Sequence, residues 1–371
     1  MENIENYDPT GNEVLGTDRF WVELHFEVEL PRVGEAVVIE SGDGESVHAS
    51  VRQHLGGHRV KALLLGPVGW LSEGMSAARC ERPAGIELPE DGGLELTPNA
   101  LIPRPDDDTD WFPLDWREPE FGEIAPTRPA LETGYEGIDT IAPLTAGGIN
   151  LLIDAGKAND ALASLAERCR RELDAPSTIR LGSTADDGTS AGIEIETPRF
   201  QGGRAIALRV ATALAAHRRQ NRRDTLLVAS LPEVTRTVGS QEDTATAPGY
   251  GEIVDLLGSG LVSTNAGRIT ALLHLRIPES RAGIASIVET LDLGDVEAQI
   301  FVDEDGRFDP FRSTSDANLS EEQRRRQSEA LSAFRRAEAA REKRRLFGDV
   351  ELDNTDHNAL QTVNSLRDEL G

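Results

Sequence analysis

The chain has 371 residues and is strongly acidic, with 65 aspartates and glutamates against 38 lysines and arginines and a formal net charge of −27. Such a charge opposes non-specific binding to nucleic acid or to an anionic membrane, because both need a basic surface on the protein. The two cysteines, Cys80 and Cys169, form no C-x-x-C pair, so neither a metal site nor a disulfide framework is expected.

The length allows two or three domains. No apolar run approaches the roughly 18 residues that a membrane-spanning helix needs, and the acidic N-terminus does not resemble a signal peptide. Only three of the basic residues are lysines: Lys61, Lys157 and Lys343. A surface rich in acids and poor in lysine is typical of a salty cytoplasm, so we expect a cytoplasmic protein of acidic, halophilic type.

The first part of the chain predicts a disordered N-terminus over 1–17 and a small β-barrel over 18–98. In the second range, apolar and polar residues alternate in short runs such as WVELHFEVEL, and glycine, proline or aspartate follows about every ten residues. His54 lies near a predicted strand end, where a single histidine is expected to be structural. The histidines show no metal-ligand spacing, so no metal site is predicted here.

Residues 99–127 are rich in proline and acidic residues, which favours an extended, ordered linker. Four aromatic residues occur in it, and we expect them to attach the linker to a neighbouring domain: Trp111, Phe112, Trp116 and Phe121.

Residues 128–316 predict an α/β domain in which strands and helices alternate, as a parallel sheet requires. The apolar run 151–153 predicts a buried strand, and 155–168 predicts a helix. The turn between such a strand and helix is where a phosphate loop, G-x-x-x-x-G-K-[ST], would lie. Further strands are predicted at 178–181, 224–230 and 272–277.

The C-terminal part, 317–371, predicts a short helical domain. Ser320 is placed as a helix cap, and early glutamates followed by late arginines suit the helix dipole. The arginines alternate with glutamates and lack aromatic neighbours, so a solvated helix face is expected and not a nucleic-acid site.

Several motifs resemble the β subunit of F-type rotary ATP synthases. V-x-Q-H-L-G at 51–56 resembles a segment of that family's N-terminal barrel, and D-P-x-x-S-T-S at 309–315 resembles a loop after a late strand. Between them, seven residues match the family's segment before and into the phosphate loop: Thr133, Gly134, Asp139, Pro143, Gly147, Gly148 and Leu152. The resemblance implies an N-terminal β-barrel, a RecA-like P-loop core with a parallel sheet, and a helical C-terminus.

The same frame implies that the phosphate loop is degenerate. Asp154 and Asn159 take the positions of the two glycines, Asp160 that of the lysine and Ala161 that of the hydroxyl residue. Lys157 follows Gly156, but this pair comes early in the loop and Ala158 follows it in place of serine or threonine.

The other catalytic positions of the family are also substituted. Ser183 stands where the family has its general base, and Ser230, or Ala229 if the register slips by one, replaces the aspartate that holds magnesium. Asp316 takes the place of the arginine that serves as a finger in the α subunit. We therefore expect no catalytic residues, no metal site and no cofactor.

The resemblance thus implies a pseudo-ATPase: a catalytically inactive β-like subunit of a proton- or sodium-translocating F-type ATP synthase, or an assembly or regulatory partner for one. Its partners would be α- or β-like subunits, or further copies in a ring-like oligomer. Through such a complex it would lie peripherally at the inner face of the cell membrane. The alternative is an ATP-hydrolysing subunit of a rotary or secretion-type ATPase, with MgATP held by an unconventional phosphate loop around Lys157.

Overall fold

The computed structural model describes residues 11–18, 20–41, 43–67, 69–87, 93–95, 101–103, 111–126, 128–154, 161–173, 177–181, 192–196, 203–231, 258–276, 296–303, 306–347 and 352–366. The chain divides into two compact units. The first comprises Met1–Glu118, Gly192–His217 and Thr235–Gly260. The second comprises Pro119–Ala191, Arg218–Val234 and Leu261–Gly371. The fold is α/β, as predicted.

An antiparallel sheet that nearly closes into a ring forms most of the first unit. Its strands follow the order β1-β2-β5-β4-β3-β6, and β1 also pairs with β6 at Glu13 and Ser76. Val22 and Leu24 flank the half-buried Glu23, and Val37 and Ile39 flank the half-buried Val38. The four apolar side chains pack in one buried cluster. The strands are β1 Glu13–Asp18, β2 Trp21–His25, β3 Glu35–Glu40, β4 Ser46–Gly56, β5 Arg59–Leu64 and β6 Ser76–Glu87.

The alternating pattern therefore predicted the antiparallel sheet, although its first strand begins at Glu13, before the predicted start at Asp18. His54 donates one structural hydrogen bond, from its Nε2 to the carbonyl oxygen of Pro31 at 2.7 Å.

Part of the predicted linker belongs to this antiparallel sheet. Strands β8 (Leu101–Pro103) and β9 (Trp111–Pro113) both pair with β6 near Ile86. A short strand before them, β7 (Gly93–Glu95), pairs in parallel with β14 (Gly192–Glu196).

The guanidinium of Arg209 lies over the ring of Trp116, with its Cζ 3.8 Å from the ring centroid. Arg209 belongs to helix α3 (Gly203–Gln220) and also donates to Asp115, at 2.7 Å. The aromatic side chain thus anchors the segment within the first unit.

The second unit contains a parallel sheet, with strands in the order β17-β12-β16-β15-β13. Short strand β18 (Thr314–Ser315) pairs antiparallel with β17, and β10 (Ala130–Leu131) pairs with β11 (Leu144–Thr145). The parallel strands are β12 Ile149–Asp154, β13 Ser177–Leu181, β15 Thr225–Ser230, β16 Ile269–Arg276 and β17 Val296–Val302. The predicted strands at 151–153, 178–181, 224–230 and 272–277 overlap this sheet.

One hydrophobic core joins the parallel sheet to four helices of the second unit. Helix α1 spans Glu136–Ile141 and α2 spans Ala161–Glu172. The helix predicted over 155–168 overlaps α2, and its part 155–160 lies outside the described residues. Helices α4 and α5 of the C-terminal part contribute Phe334 and Val363 to the same cluster as Leu152 of β12. These two helices span Glu321–Phe347 and Asn354–Leu366.

Ser320 caps the start of α4, as the sequence predicted, and Gln323 makes the cap reciprocal. The backbone N–H of Gln323 donates to Oγ of Ser320 at 3.2 Å, and the backbone N–H of Ser320 donates to Oε1 of Gln323 at 2.9 Å. None of the helices in the described ranges combines the length and the apolar character needed to cross a membrane.

Candidate functional site

Three polar side chains lie together where neighbouring parallel strands end. Asp154 and Ser230 are the last residues of β12 and β15, and His274 lies near the end of β16, between them. In the strand register, Ser230 is directly opposite His274, and Leu152 is opposite His274 on the other side. Because side chains alternate along a strand, Asp154 shares a face with Leu152, and Ser230 shares that face with Val228.

That face is the one covered by α2. Leu152, Val228 and Leu272 belong to the same buried cluster as Leu162 and Leu165 of α2. The row Asp154, His274 and Ser230 therefore continues the α2 side of the sheet to its carboxyl edge.

The direction in which the chain progresses across the parallel sheet changes at this point. From β12 the chain next enters β13, which lies on the β16 side of the sheet, whereas from β16 it next enters β17, on the opposite side of β12. The switch in strand order thus falls between β12 and β16. In open α/β sheets, ligands bind in the crevice outside the carboxyl ends of the strands at such a switch.

A carboxylate and an imidazole fill this position. The Asp154 side chain is 2 % exposed and the His274 side chain 12 %, and Nε2 of His274 contacts Oδ2 of Asp154. A carboxylate only accepts hydrogen bonds, so the proton between them is on Nε2 of the imidazole. The buried carboxylate of Asp154 thereby has a hydrogen-bond donor on the neighbouring strand, as buried polar groups require.

The sequence alone gave Asp154 a role only as a substituted glycine, and His274 was not singled out. The available signal was that each is a polar residue at the end of a buried apolar strand. Their contact, however, depends on the pairing of β12 with β16, strands that are far apart in the chain.

The other predicted site residues are distributed differently. Ala161 is the first residue of α2 and is fully buried, and Ser230 is exposed at the carboxyl edge of the sheet. Asp316 is exposed near the opposite edge, where its backbone N–H donates to the carbonyl of Glu297 at 2.7 Å. The structure thus brings Asp154 and Ser230 to one edge and leaves Asp316 at the other. Lys157, Asn159, Asp160 and Ser183 lie outside the described residues.

The motif around Asp139 forms a structural turn at the start of α1. The Asp139 carboxylate accepts hydrogen bonds from the backbone N–H of Thr133 at 2.8 Å, from Oγ1 of Thr133 at 2.7 Å and from the backbone N–H of Gly134 at 2.7 Å. Gly134 has φ +73°, in the left-handed region that glycine tolerates. Arg168 of α2 donates to the carbonyl of Thr133 at 2.8 Å and covers the ring of Tyr135. The turn therefore holds α1 against α2.

We expect Asp139→Asn to lower the free energy of unfolding by about 1–2 kcal/mol, because an amide offers one acceptor oxygen and turns an N–H₂ towards the remaining donors. Urea unfolding of both proteins measures the difference. Glu136→Gln is the matched control, since Glu136 is exposed in the same helix and its loss should stay within about 0.5 kcal/mol. Equal losses in the two variants would contradict a role for this turn.

Buried polar bonds hold the segment that leads into β12. Asn150, 1 % exposed, accepts from the backbone N–H of Thr145 at 2.7 Å and donates to the carbonyl of Thr145 at 3.1 Å. Glu297 of β17 accepts from the backbone N–H of Ile149 and pairs with Arg128. A Cβ on Gly148 would lie 2.3 Å from Oγ1 of Thr145, so only glycine fits there. These contacts fix the amino edge of the sheet.

The D-P-x-x-S-T-S segment is also structural. Ser313 donates to the carbonyl of Asp309 at 2.7 Å and accepts from the backbone N–H of Phe301 at 2.9 Å. Ser315 donates to the carbonyl of Pro143 at 2.6 Å. Arg312 is exposed, and its Nε lies 3.5 Å from Oδ2 of Asp309. The motif thus fastens the chain after β17 to the segment that precedes β12.

The cysteines are unreactive in this setting, because burial raises the pKa of Cys169 to about 12 and that of Cys80 to about 11. Within the described ranges, no group of three or more histidine, cysteine, aspartate and glutamate side chains is arranged to hold a metal ion.

No model of a known protein family matches the chain.

Proposed function

We propose that the chain is a catalytically inactive β-like subunit of a proton- or sodium-translocating F-type ATP synthase, or an assembly or regulatory partner of one. The observation that carries the proposal is the Asp154–His274 pair at the switch point of the parallel sheet. A phosphate loop would need backbone N–H groups and a lysine there. This chain instead has a carboxylate that is already engaged by an imidazole.

The order of the parallel strands supports a RecA-like core. Of the five parallel strands, β12 comes first in the chain and lies between the fourth and the fifth, β16 and β17. The third parallel strand, β15, lies on the far side of β16. A core with the loop-bearing strand in the middle and the following strands in this order is the one implied by the resemblance to rotary ATP synthases.

The described residues of this edge do not fit MgATP. P-loop enzymes hold Mg²⁺ with the hydroxyl after the loop lysine and with a carboxylate at the end of the third strand. Here those positions carry Ala161 and Ser230, a methyl group and a neutral hydroxyl. Neither replaces the lost ligand, so the proposal includes no catalytic residue and no cofactor.

The alternative function is that of an ATP-hydrolysing rotary or secretion-type subunit with a shifted loop around Lys157. The sequence Gly156-Lys157 favours it, but Ala158 provides no magnesium ligand after the lysine. Under this alternative, ATP and Mg²⁺ would be bound, which nucleotide titration can detect directly.

A scaffold that has lost turnover would act through its surfaces, so we propose α- or β-like synthase subunits, or further copies of the chain in a ring, as partners. The protein would then be cytoplasmic and peripheral to the membrane through the complex. Purification of the native protein from its own cells at host salt should recover synthase subunits, identified by mass spectrometry.

Sedimentation of the purified chain, alone and mixed with those subunits, distinguishes a homo-oligomer from a mixed assembly. The proposal fails if the chain stays monomeric in both samples and no synthase subunit co-purifies.

A further inference from the structure

Helix α3 is followed by an arginine at a position where glycine is usual. The backbone N–H of Arg222 donates to the carbonyl of Arg219, and that of Arg223 donates to the carbonyl of Arg218, both at 3.0 Å. This pair of bonds is the Schellman arrangement, in which the first residue beyond the helix adopts a left-handed conformation. Arg222 does so, with φ +59°. Glycine is the residue that adopts this conformation without steric cost, yet the chain has an arginine there.

A second segment brings another arginine to the same place. The backbone N–H of Arg268 donates to Oδ1 of Asp224 at 2.8 Å, and its carbonyl accepts from the backbone N–H of Thr225 at 2.9 Å. A Cβ added to Gly267 would lie 2.8 Å from the carbonyl oxygen of Arg219, so the two segments are in close backbone contact. We define the arginine cluster as Arg218, Arg222, Arg223 and Arg268.

Among the described residues, three arginines of the cluster have no acidic partner. The side chains of Arg222, Arg223 and Arg268 are exposed and form no ion pair within that part of the chain. Burial lowers the pKa of Arg218, and the nearby charge of Arg223 lowers it further. The neighbouring described carboxylates are those of Asp224, which already accepts the Arg268 N–H, and Glu123, which faces the buried Arg219.

The arginine cluster lies at the amino edge of the parallel sheet, because it directly precedes β15 and β16. Asp154 and Ser230 lie at the carboxyl edge, about 17–20 Å away along a six-residue strand. The cluster is therefore separate from the edge where a nucleotide would bind, and its charge needs another explanation.

We propose that the arginine cluster is a docking surface for an acidic segment of a partner polypeptide. Charges beyond about 8 Å are largely screened at about 0.15 M salt, and charges beyond about 3 Å at about 1 M. At either salt, a partner in contact therefore meets the local arginines more strongly than the distant acidic surface. Exposed guanidinium groups bind carboxylates in a planar, two-point geometry.

A nucleic acid fits the surface less well. It would bring dense phosphate charge towards a chain of net charge −27. The commitment is therefore to an acidic polypeptide.

The test uses the full chain and a fluorescently labelled oligoglutamate peptide, with binding followed by fluorescence anisotropy between about 0.05 M and about 0.5 M salt. We expect saturable binding that weakens as salt rises. Arg222→Gly and Arg223→Gln should each raise the dissociation constant roughly threefold. Arg222→Lys keeps the charge but loses the planar, two-point geometry, so it should bind more weakly than the wild type and more tightly than Arg222→Gly. Arg324→Gln removes an exposed arginine of α4 and is the control for net charge.

Arg222→Gly also separates binding from folding, because glycine relieves the left-handed conformation. Its melting temperature should equal or exceed that of the wild type while its peptide binding falls. The proposal is overturned if Arg324→Gln weakens binding as much as Arg222→Gly, if no peptide binding is seen at low salt, or if a labelled single-stranded RNA of similar length binds as tightly as the peptide.

Discussion

We expect His274→Ala to lower the free energy of unfolding by about 3–5 kcal/mol, the loss typical of breaking a buried pair by removing one partner. The reason lies in Asp154, which is 2 % exposed and contacts Nε2 of His274. Without the imidazole, a carboxylate at the end of β12 stays buried next to an empty volume. Urea unfolding followed by circular dichroism measures the loss.

A second variant distinguishes the pair from a simple loss of packing. In the double variant Asp154→Leu and His274→Leu, both polar side chains are replaced by apolar ones, which is often close to neutral for a buried pair. We expect the double variant to be more stable than His274→Ala. Ser230→Ala is the control at the neighbouring exposed position and should change stability by less than about 0.5 kcal/mol. A loss below about 1 kcal/mol for His274→Ala would contradict the importance of the contact.

The sequence predicted those parts of the fold that depend on local pattern. Alternation in WVELHFEVEL indicated an antiparallel strand, β2, and the apolar run 151–153 indicated the buried parallel strand β12. Ser320 was predicted as a cap from the residue types around it, and the cap is present. In each case the deciding interaction is between residues close in the chain.

The parts that were not predicted depend on contacts between distant segments. The proline and acidic residues of the predicted linker favoured an extended segment, so its strands were not predicted. The pairing of β9 with β6 depends on which backbone groups of β6 are left for a further strand. Likewise, nothing in the local sequence places His274 beside Asp154, since the register between β12 and β16 joins residues more than a hundred positions apart. Asp154, which the sequence comparison treated only as a substituted glycine, is therefore part of a buried pair with His274.

The Asp154–His274 pair also changes the expected electrostatics of nucleotide binding. In the degenerate phosphate loop that the resemblance implies, Asp154 and Asp160 would each repel the phosphates of a nucleotide. Because His274 already donates to Asp154, we expect the repulsion to come mainly from Asp160, which the resemblance to rotary ATP synthases places at the position of the loop lysine. At about 4 Å and an effective dielectric constant near 20, one unit-charge interaction is roughly 4 kcal/mol, and replacing a positive by a negative charge doubles that before screening.

We therefore expect no binding of MgATP at cellular concentrations and no hydrolysis by the isolated chain. Even if screening leaves only about 3 kcal/mol of the charge reversal, affinity falls roughly a hundredfold. The dipole at the start of α2 returns only about 0.3–1 kcal/mol. Isothermal titration calorimetry with MgATP and a phosphate-release assay measure the two quantities.

Restoring the loop chemistry with Asp160→Lys and Ala161→Thr should recover measurable binding but little turnover, because Ser183 and Ser230 still lack the carboxylates that position water and magnesium. Ala161 is fully buried, so Asp160→Lys with Ala161→Ser, which adds a single oxygen, is the matched variant with less crowding. Lys157→Ala in the unmodified chain completes the test. Micromolar MgATP affinity that disappears in Lys157→Ala would overturn the prediction and favour the enzyme with a shifted phosphate loop.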